Sequence, residues 1–184
     1  MSAEDSADRD ELAADLIELL AGRGQTVATA ESLTGGLIGA AITSIAGSSV
    51  AYRGGVVSYA TELKAALAGV NERTLAEHGA VSQLTAVEMA LGVASRCDAT
   101  WGIAVTGVAG PDPQEGHPAG TVFVAVAHQP EDRGWDDNRA DSVVCVRELA
   151  LTGDRASIRE QTVIAALRQA LRIIGSGPEY GHSG

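Results

Sequence analysis

"ATAESLTGGLIGAAI", residues 28–42, sets two patterns end to end. A short β-prone run, Thr26 to Ala30, meets Glu31 and Ser32, then Leu33-Thr34, then Gly35-Gly36, then apolar residues at helical spacing. Packing alone asks for no charge, two hydroxyls and paired glycines at such a seam. The start of a helix leaves backbone N–H groups unpaired, and these favour an anion. A serine placed there can cap the helix, bind a phosphate or attack as a nucleophile, and the rest of the chain has to choose.

Outward from the seam, strand and helix signals alternate. Upstream, Leu12, Leu16, Leu19 and Leu20 mark an amphipathic helix from Asp8 to Gly22, which leaves residues 1–7 as a flexible leader. The seam itself reads as a strand over 26–30 and a helix capped by Thr34 that runs to about Ala46. Downstream, the turn-rich "AGSSVAYRGG" (46–55) leads into a second strand, "GVVSY" (55–59). Residues 61–96 carry three helical pieces begun by the capping residues Thr61, Asn71 and Ser82, and Gly69 and Gly79 end the first two. Strands follow at 100–107, 121–129 and 142–151, with a polar loop over 130–141, then a long helix over 153–174 and a flexible tail over 175–184.

The early β-α-β order asks for parallel strands covered by helices. The last three strands are joined by loops alone, so at least one pair is antiparallel. The expected fold class is α/β: a single domain over 8–174, built as a three-layer α/β/α sandwich with a mixed, mostly parallel sheet.

Composition narrows the function classes. Of 184 residues, 45% are hydrophobic but only 3% aromatic, so the core must be built of Ala, Val, Leu and Ile. Cys97 and Cys145 lie far apart with no C-x-x-C partner and read as reduced thiols. A formal charge of −11 argues against nucleic acid as a partner, though not against a small anionic ligand. The acidic start "MSAEDSADRDELAADL" lacks the pattern of a secretory signal, and no apolar run is long enough for a membrane span, so a cytoplasmic protein is expected. None of the four histidines has metal-ligand spacing, "ESLTGG" lacks the dinucleotide order, and there is no P-loop, so neither metal nor cofactor is expected.

Ligands of open α/β sheets gather at the carboxyl ends of strands. Four segments fall there: Glu31 to Gly36, Tyr59 with Lys64 a turn later, Thr106 to Asp112, and Arg147 to Arg155. Converging, they would offer two hydroxyl-rich glycine turns, a tyrosine, a lysine and arginines, a set suited to acyl transfer without a metal. Each piece also has a plain structural reading. Ser32 and Thr34 suit helix caps, Lys64 a solvated surface, Tyr59 a packing role, Gly107 and Gly110 a tight turn. Arg155 and Arg159 suit ion pairs with Asp154 and Glu160.

The motifs "AESLTGG" (30–36), "AGSS" (46–49), "SYATELK" (58–64), "HGAVS" (78–82), "VTGVAGPD" (105–112), "GTV" (120–122) and "GDRASIR" (153–159) resemble, in order and spacing, the CinA C-terminal family. The resemblance implies hydrolysis of nicotinamide mononucleotide to nicotinate mononucleotide and ammonia, by a serine amidase with a lysine base and no metal. It also implies a homo-oligomer, a dimer being favoured, in the single-domain form of the family. Carried over, Ser32 is the nucleophile, Lys64 its base, and Tyr59 orients the lysine or relays its proton. Thr106 and the Gly107 amide face the substrate amide or its oxyanion. Three positions depart from the family pattern: Ala60-Thr61 stands for Ser-Asn, so Thr61 is the expected replacement contact, Leu33 stands for Cys, and His117-Pro118 for Lys-Pro.

A lysine works as a base only if its pKa falls from near 10.4 to about 7–8, roughly 4 kcal/mol of bias against the charged form. For the phosphate, the N–H groups of Gly35 and Gly36 compete with Arg155 and Arg159; the arginines and neighbouring loops, Arg147 among them, are favoured. Two rival readings stand beside the amidase. One is a nucleotide-binding module in which Ser32 and Thr34 only hold phosphate, the other an amidase of a different small amide.

Overall fold

The computed structural model describes residues 3–129 and 144–177, with side chains from residue 7 onward. The elements, in chain order, are α1 (Ala3–Gly22), β1 (Val27–Glu31), α2 (Leu37–Thr43), β2 (Tyr52–Val57), α3 (Thr61–Ala68) and α4 (Glu72–His78). They continue as α5 (Gln83–Arg96), β3 (Trp101–Gly107), β4 (Thr121–His128), β5 (Val144–Ala150) and α6 (Arg155–Ser176).

The strands form one sheet in the order β2-β1-β3-β4-β5. β1 runs parallel to both β2 and β3, while β4 is antiparallel to β3 and to β5. Four of the five strands therefore point the same way, the mixed sheet that the loop-joined final strands require. The same topology brings the carboxyl ends of β1, β2, β3 and β5 to one edge, beside the start of β4.

Alternation along the strands sorts the core into two slabs. Val27, Ile103, Val105, Val122, Val124 and Val126 face α1, α2 and α6, where Leu16, Leu20, Ile38, Ile42, Leu167 and Ile174 are buried. Ala28, Ala30, Ala104, Ala125 and Ala127 face the other way, against Met89, Ala90 and Val93 of α5 and Ala68 of α3. With alanine on that face, α5 lies very close to the sheet. A Cβ built on Gly102 would stand 1.9 Å from the Ala90 carbonyl oxygen, so only glycine fits there.

Several boundaries differ from the sequence reading. α1 already begins at Ala3, so residues 3–7 belong to a helix and not to a leader. β2 begins at Tyr52 and ends at Val57, which places Ser58 and Tyr59 beyond the strand. α2 begins at Leu37 and stops at Thr43, short of Ala46. α6 takes in Gly175 and Ser176 of the expected tail, whose residues 178–184 lie outside the described part, as do the polar loop over 130–141 and the first residues of the strand read from 142. Among the described residues no helix is long and apolar enough to cross a membrane.

Candidate active site

The opening stretch folds around its own acid. β1 ends at Glu31, which is 2% exposed, and the chain doubles back through Ser32–Gly36 before α2. The Glu31 carboxylate gathers the unpaired donors of the α2 start. The Gly36 and Ile38 N–H groups donate to Oε2 at 3.0 and 3.1 Å, and the Gly39 N–H donates to Oε1 at 2.8 Å. The Thr34 hydroxyl donates to Oε2 at 2.7 Å. A buried carboxylate is tolerated only when donors surround it in this way.

Three expectations are corrected by this arrangement. Thr34 is not the cap of α2; Gly36 holds that position at φ 99°, and Thr34 is fully buried behind the turn. The Gly36 N–H is committed to Glu31, and the Gly35 N–H donates to the Ser32 carbonyl at 3.0 Å, so neither is open to a phosphate. Arg159 is committed too: Nε donates to Leu33 O at 3.0 Å and Nη2 to Thr34 O at 2.8 Å. It ties α6 to the underside of the turn and does not line the cleft.

The turn holds Ser32 with its N–H on the Val105 carbonyl at 3.1 Å and its side chain facing α3. Among the described residues the Leu33 N–H, next along the chain, finds no acceptor. Lys64 comes in from α3 and is only 2% exposed. Its Nζ lies 3.0 Å from Ser32 Oγ and donates to the Ser58 carbonyl at 2.8 Å. Burial pushes the amine below the usual lysine range, while Glu115 and Glu62 pull it partly back through space. Once neutral, the amine can keep its hydrogen bond to Ser58 O and turn its lone pair to the Ser32 hydroxyl proton.

The remaining walls come from three loops. The Thr106 hydroxyl, at the end of β3, donates to the Ala80 carbonyl at 2.6 Å and so pins the α4–α5 loop beside the dyad. In that loop the Val81 N–H donates to Glu115 Oε2 at 3.1 Å. Arg155, at the start of α6, donates to Tyr59 OH at 2.5 Å and to the Gly110 carbonyl at 2.8 Å, spanning the cleft mouth. The cleft is about 170 Å³ and is lined by Ser32, Lys64, Tyr59, Thr106, Gly107 and Arg155 of the sequence candidates.

Other candidates fall elsewhere. Thr61 is exposed as the first residue of α3, whose cap is Ala60 without a side-chain bond, and it does not reach the cleft. Arg147 sits exposed in the middle of β5, paired in register with Val124, and does not line the cleft either. Tyr59 gives its hydroxyl to Arg155 and not to Lys64. Sequence reasoning missed Glu31 as the organiser of the turn, the Ala80-Val81 wall and the carboxylates Asp112 and Glu115. The unexplained charge in "AESL" was the signal for Glu31. Nothing local marks the rest, which depend on loops meeting across the sheet edge. Among the described residues no group of three or more His, Cys, Asp and Glu side chains stands ready to hold a metal ion.

With this geometry in hand, the chain can be set beside known proteins. The model of the CinA C-terminal domain matches residues 9–174. A CinA-like protein from Frankia casuarinae is 46% identical over 169 residues, 92% of this chain but only 36% of that one. The chain thus spans about a third of the length of the first curated relatives it matches. The nicotinamide-nucleotide amidohydrolase PncC of Escherichia coli is 41% identical over 152 residues, 82% of this chain and 86% of PncC. The crystal structure of the competence/damage inducible protein CihA from Agrobacterium tumefaciens superposes with a TM-score of 0.82 at 36% identity, covering 92% of this chain and 96% of that one. The buried serine-lysine pair thus lies in a chain that belongs to the CinA C-terminal domain family.

Proposed function

We propose that this cleft hydrolyses the carboxamide of nicotinamide mononucleotide, giving nicotinate mononucleotide and ammonia, with Ser32 as nucleophile and Lys64 as base. The observation that carries the reading is the 3.0 Å contact between Lys64 Nζ and Ser32 Oγ, with the amine 2% and the serine 8% exposed. The E. coli relative bearing the name nicotinamide-nucleotide amidohydrolase, similar along most of both chains, supports the choice of substrate.

The steps balance as acyl transfer. Ser32 Oγ attacks the carboxamide carbon as its proton passes to the neutral Nζ of Lys64. The resulting oxyanion is received by the Leu33 N–H, the free donor that directly follows the nucleophile. The C–N bond then breaks as Lys64 returns the proton to the leaving nitrogen, releasing ammonia. Water attacks the ester, gives its proton to Lys64, and the Ser32–acyl bond breaks as Oγ is reprotonated. Arg155, exposed and lining the cleft where Arg159 does not, is the cation that would meet the 5′-phosphate, exchanging its bonds to Tyr59 OH and Gly110 O for the phosphate oxygens.

Ammonia release from nicotinamide mononucleotide by the wild type, Ser32→Ala and Lys64→Ala tests the reading. Turnover by the wild type and a loss of about 10³-fold or more in both variants, with the fold retained by circular dichroism, is expected. Nucleotide binding by all three with no turnover by any would instead mark a binding module. Turnover of other amides in preference would redirect the substrate.

A further inference from the structure

The mouth of the cleft carries two opposite charges that are not spent on each other. Arg155 gives its guanidinium to two uncharged oxygens, Tyr59 OH and Gly110 O. Asp112, two residues past Gly110, is exposed at the cleft and is the one carboxylate among the described lining residues, and no described residue bonds or pairs with it. Glu115, on the same loop, is tied to the Val81 N–H and stands outside the lining. Lys64, the buried cation of the lining, is pushed toward its neutral form by burial. A surface that keeps a carboxylate and a guanidinium apart in one small cleft is complementary to a ligand carrying both signs.

We propose that Asp112 is the specificity-determining residue that recognises the positive ring of the substrate, so that the cleft selects N-alkylated, cationic pyridine-3-carboxamides over neutral carboxamides. The proposal rests on the amidase reading above and deepens it. In a nicotinamide nucleotide the ring nitrogen bonded to the ribose bears a fixed positive charge, in the same ring that carries the carboxamide. Seating that ring beside Ser32 takes the cation partly out of water, and the exposed Asp112 carboxylate attracts it through a solvent-screened charge. Free nicotinamide presents the same carboxamide on an uncharged ring and gains nothing from Asp112. The negative phosphate then lies toward Arg155.

Two measurements test this separately from the chemistry. Calorimetric titration of the 1-methylnicotinamide cation and of neutral nicotinamide into Ser32→Ala and into Ser32→Ala/Asp112→Asn isolates the ring charge, because neither probe carries a phosphate. Asp112→Asn is expected to weaken the cation several-fold and leave nicotinamide within two-fold, with part of the loss recovered in Asp112→Glu. On the active protein, Asp112→Asn is expected to raise KM for nicotinamide mononucleotide far more than it lowers kcat. Equal loss for cation and neutral amide, or cation binding that is absent or indifferent to Asp112, overturns the assignment. If ammonia is still released in that case, the amidase reading survives alone. Asp112-dependent cation binding without ammonia release would keep the cation site and end the amidase.

Discussion

Lys64 joins cost and use in one side chain. A fully buried amine that is charged weakens the fold, and a neutral one is a base. Because burial lowers its pKa, activity is expected to rise with pH through a limb below the usual lysine range. Glu115 opposes that shift, so Glu115→Gln should move the limb to still lower pH, while the amide oxygen keeps the bond to the Val81 N–H. A pH–rate profile of both proteins checks the direction, and a shift to higher pH would contradict it. Stability has its own sign. Below the lowered native value both folded and unfolded chains hold the proton, and the wild type carries the whole penalty. As pH climbs from there toward the ordinary lysine value, the folded state loses its proton first and the penalty fades. Lys64→Met should therefore gain most over the wild type in denaturant midpoint below the lowered lysine value, with the gain shrinking as pH climbs toward ~10. The pairing of Ser32 with Lys64 was implied by the family resemblance alone, since Lys64 read by itself suits a solvated surface. The fate of Arg159 was not legible, because an arginine one turn into a helix looks the same whether it meets a phosphate or two carbonyls.

At the scale of elements, the helix starts show what local chemistry can and cannot reveal. Asn71 and Ser82 cap α4 and α5 as their positions suggest, accepting from the Arg73 and Thr85 N–H groups. Thr34 and Thr61 match the same rule and do not cap. α2 is instead capped from outside by Glu31, which reaches back from the end of β1 across a turn held open by Gly35 and Gly36 at positive φ. Cap signals are read from the residue just before a helix, so a cap delivered by a neighbouring strand is invisible to them. The consequence is testable. In Glu31→Gln an amide NH₂ must face a backbone or hydroxyl donor, leaving a buried donor without an acceptor at about 1–3 kcal/mol. A melting temperature lowered by several degrees is expected. Ammonia release should fall with it, because the same turn carries Ser32. An unchanged melt would show that Glu31 does not hold α2.

For the whole molecule, the site depends on how closely α5 lies on the sheet. The layered α/β arrangement and the mixed sheet follow from element order and from connection length. The strand order and the near contact of α5 do not, since they come from side-chain volume summed over two faces. The alanine-lined face and Gly102 bring the α5 backbone down onto β3, and the loop before α5 then delivers Ala80 to the Thr106 hydroxyl at 2.6 Å. Gly102→Ala places a methyl 1.9 Å from the Ala90 carbonyl oxygen and 3.2 Å from the Ala94 Cβ. Backbone cannot swing aside as a flexible side chain would, so α5 must lift as a body. Overpacking of this kind costs about 1–3 kcal/mol, read as a lower denaturant midpoint. The lift also draws Ala80 from Thr106 and loosens the wall opposite Ser32, although no altered atom touches the cleft. Ammonia release should then drop through kcat as well as through lost stability, and the drop should persist at temperatures where the variant is fully folded. A variant that is less stable yet fully active when folded would show that the cleft does not depend on the seating of α5.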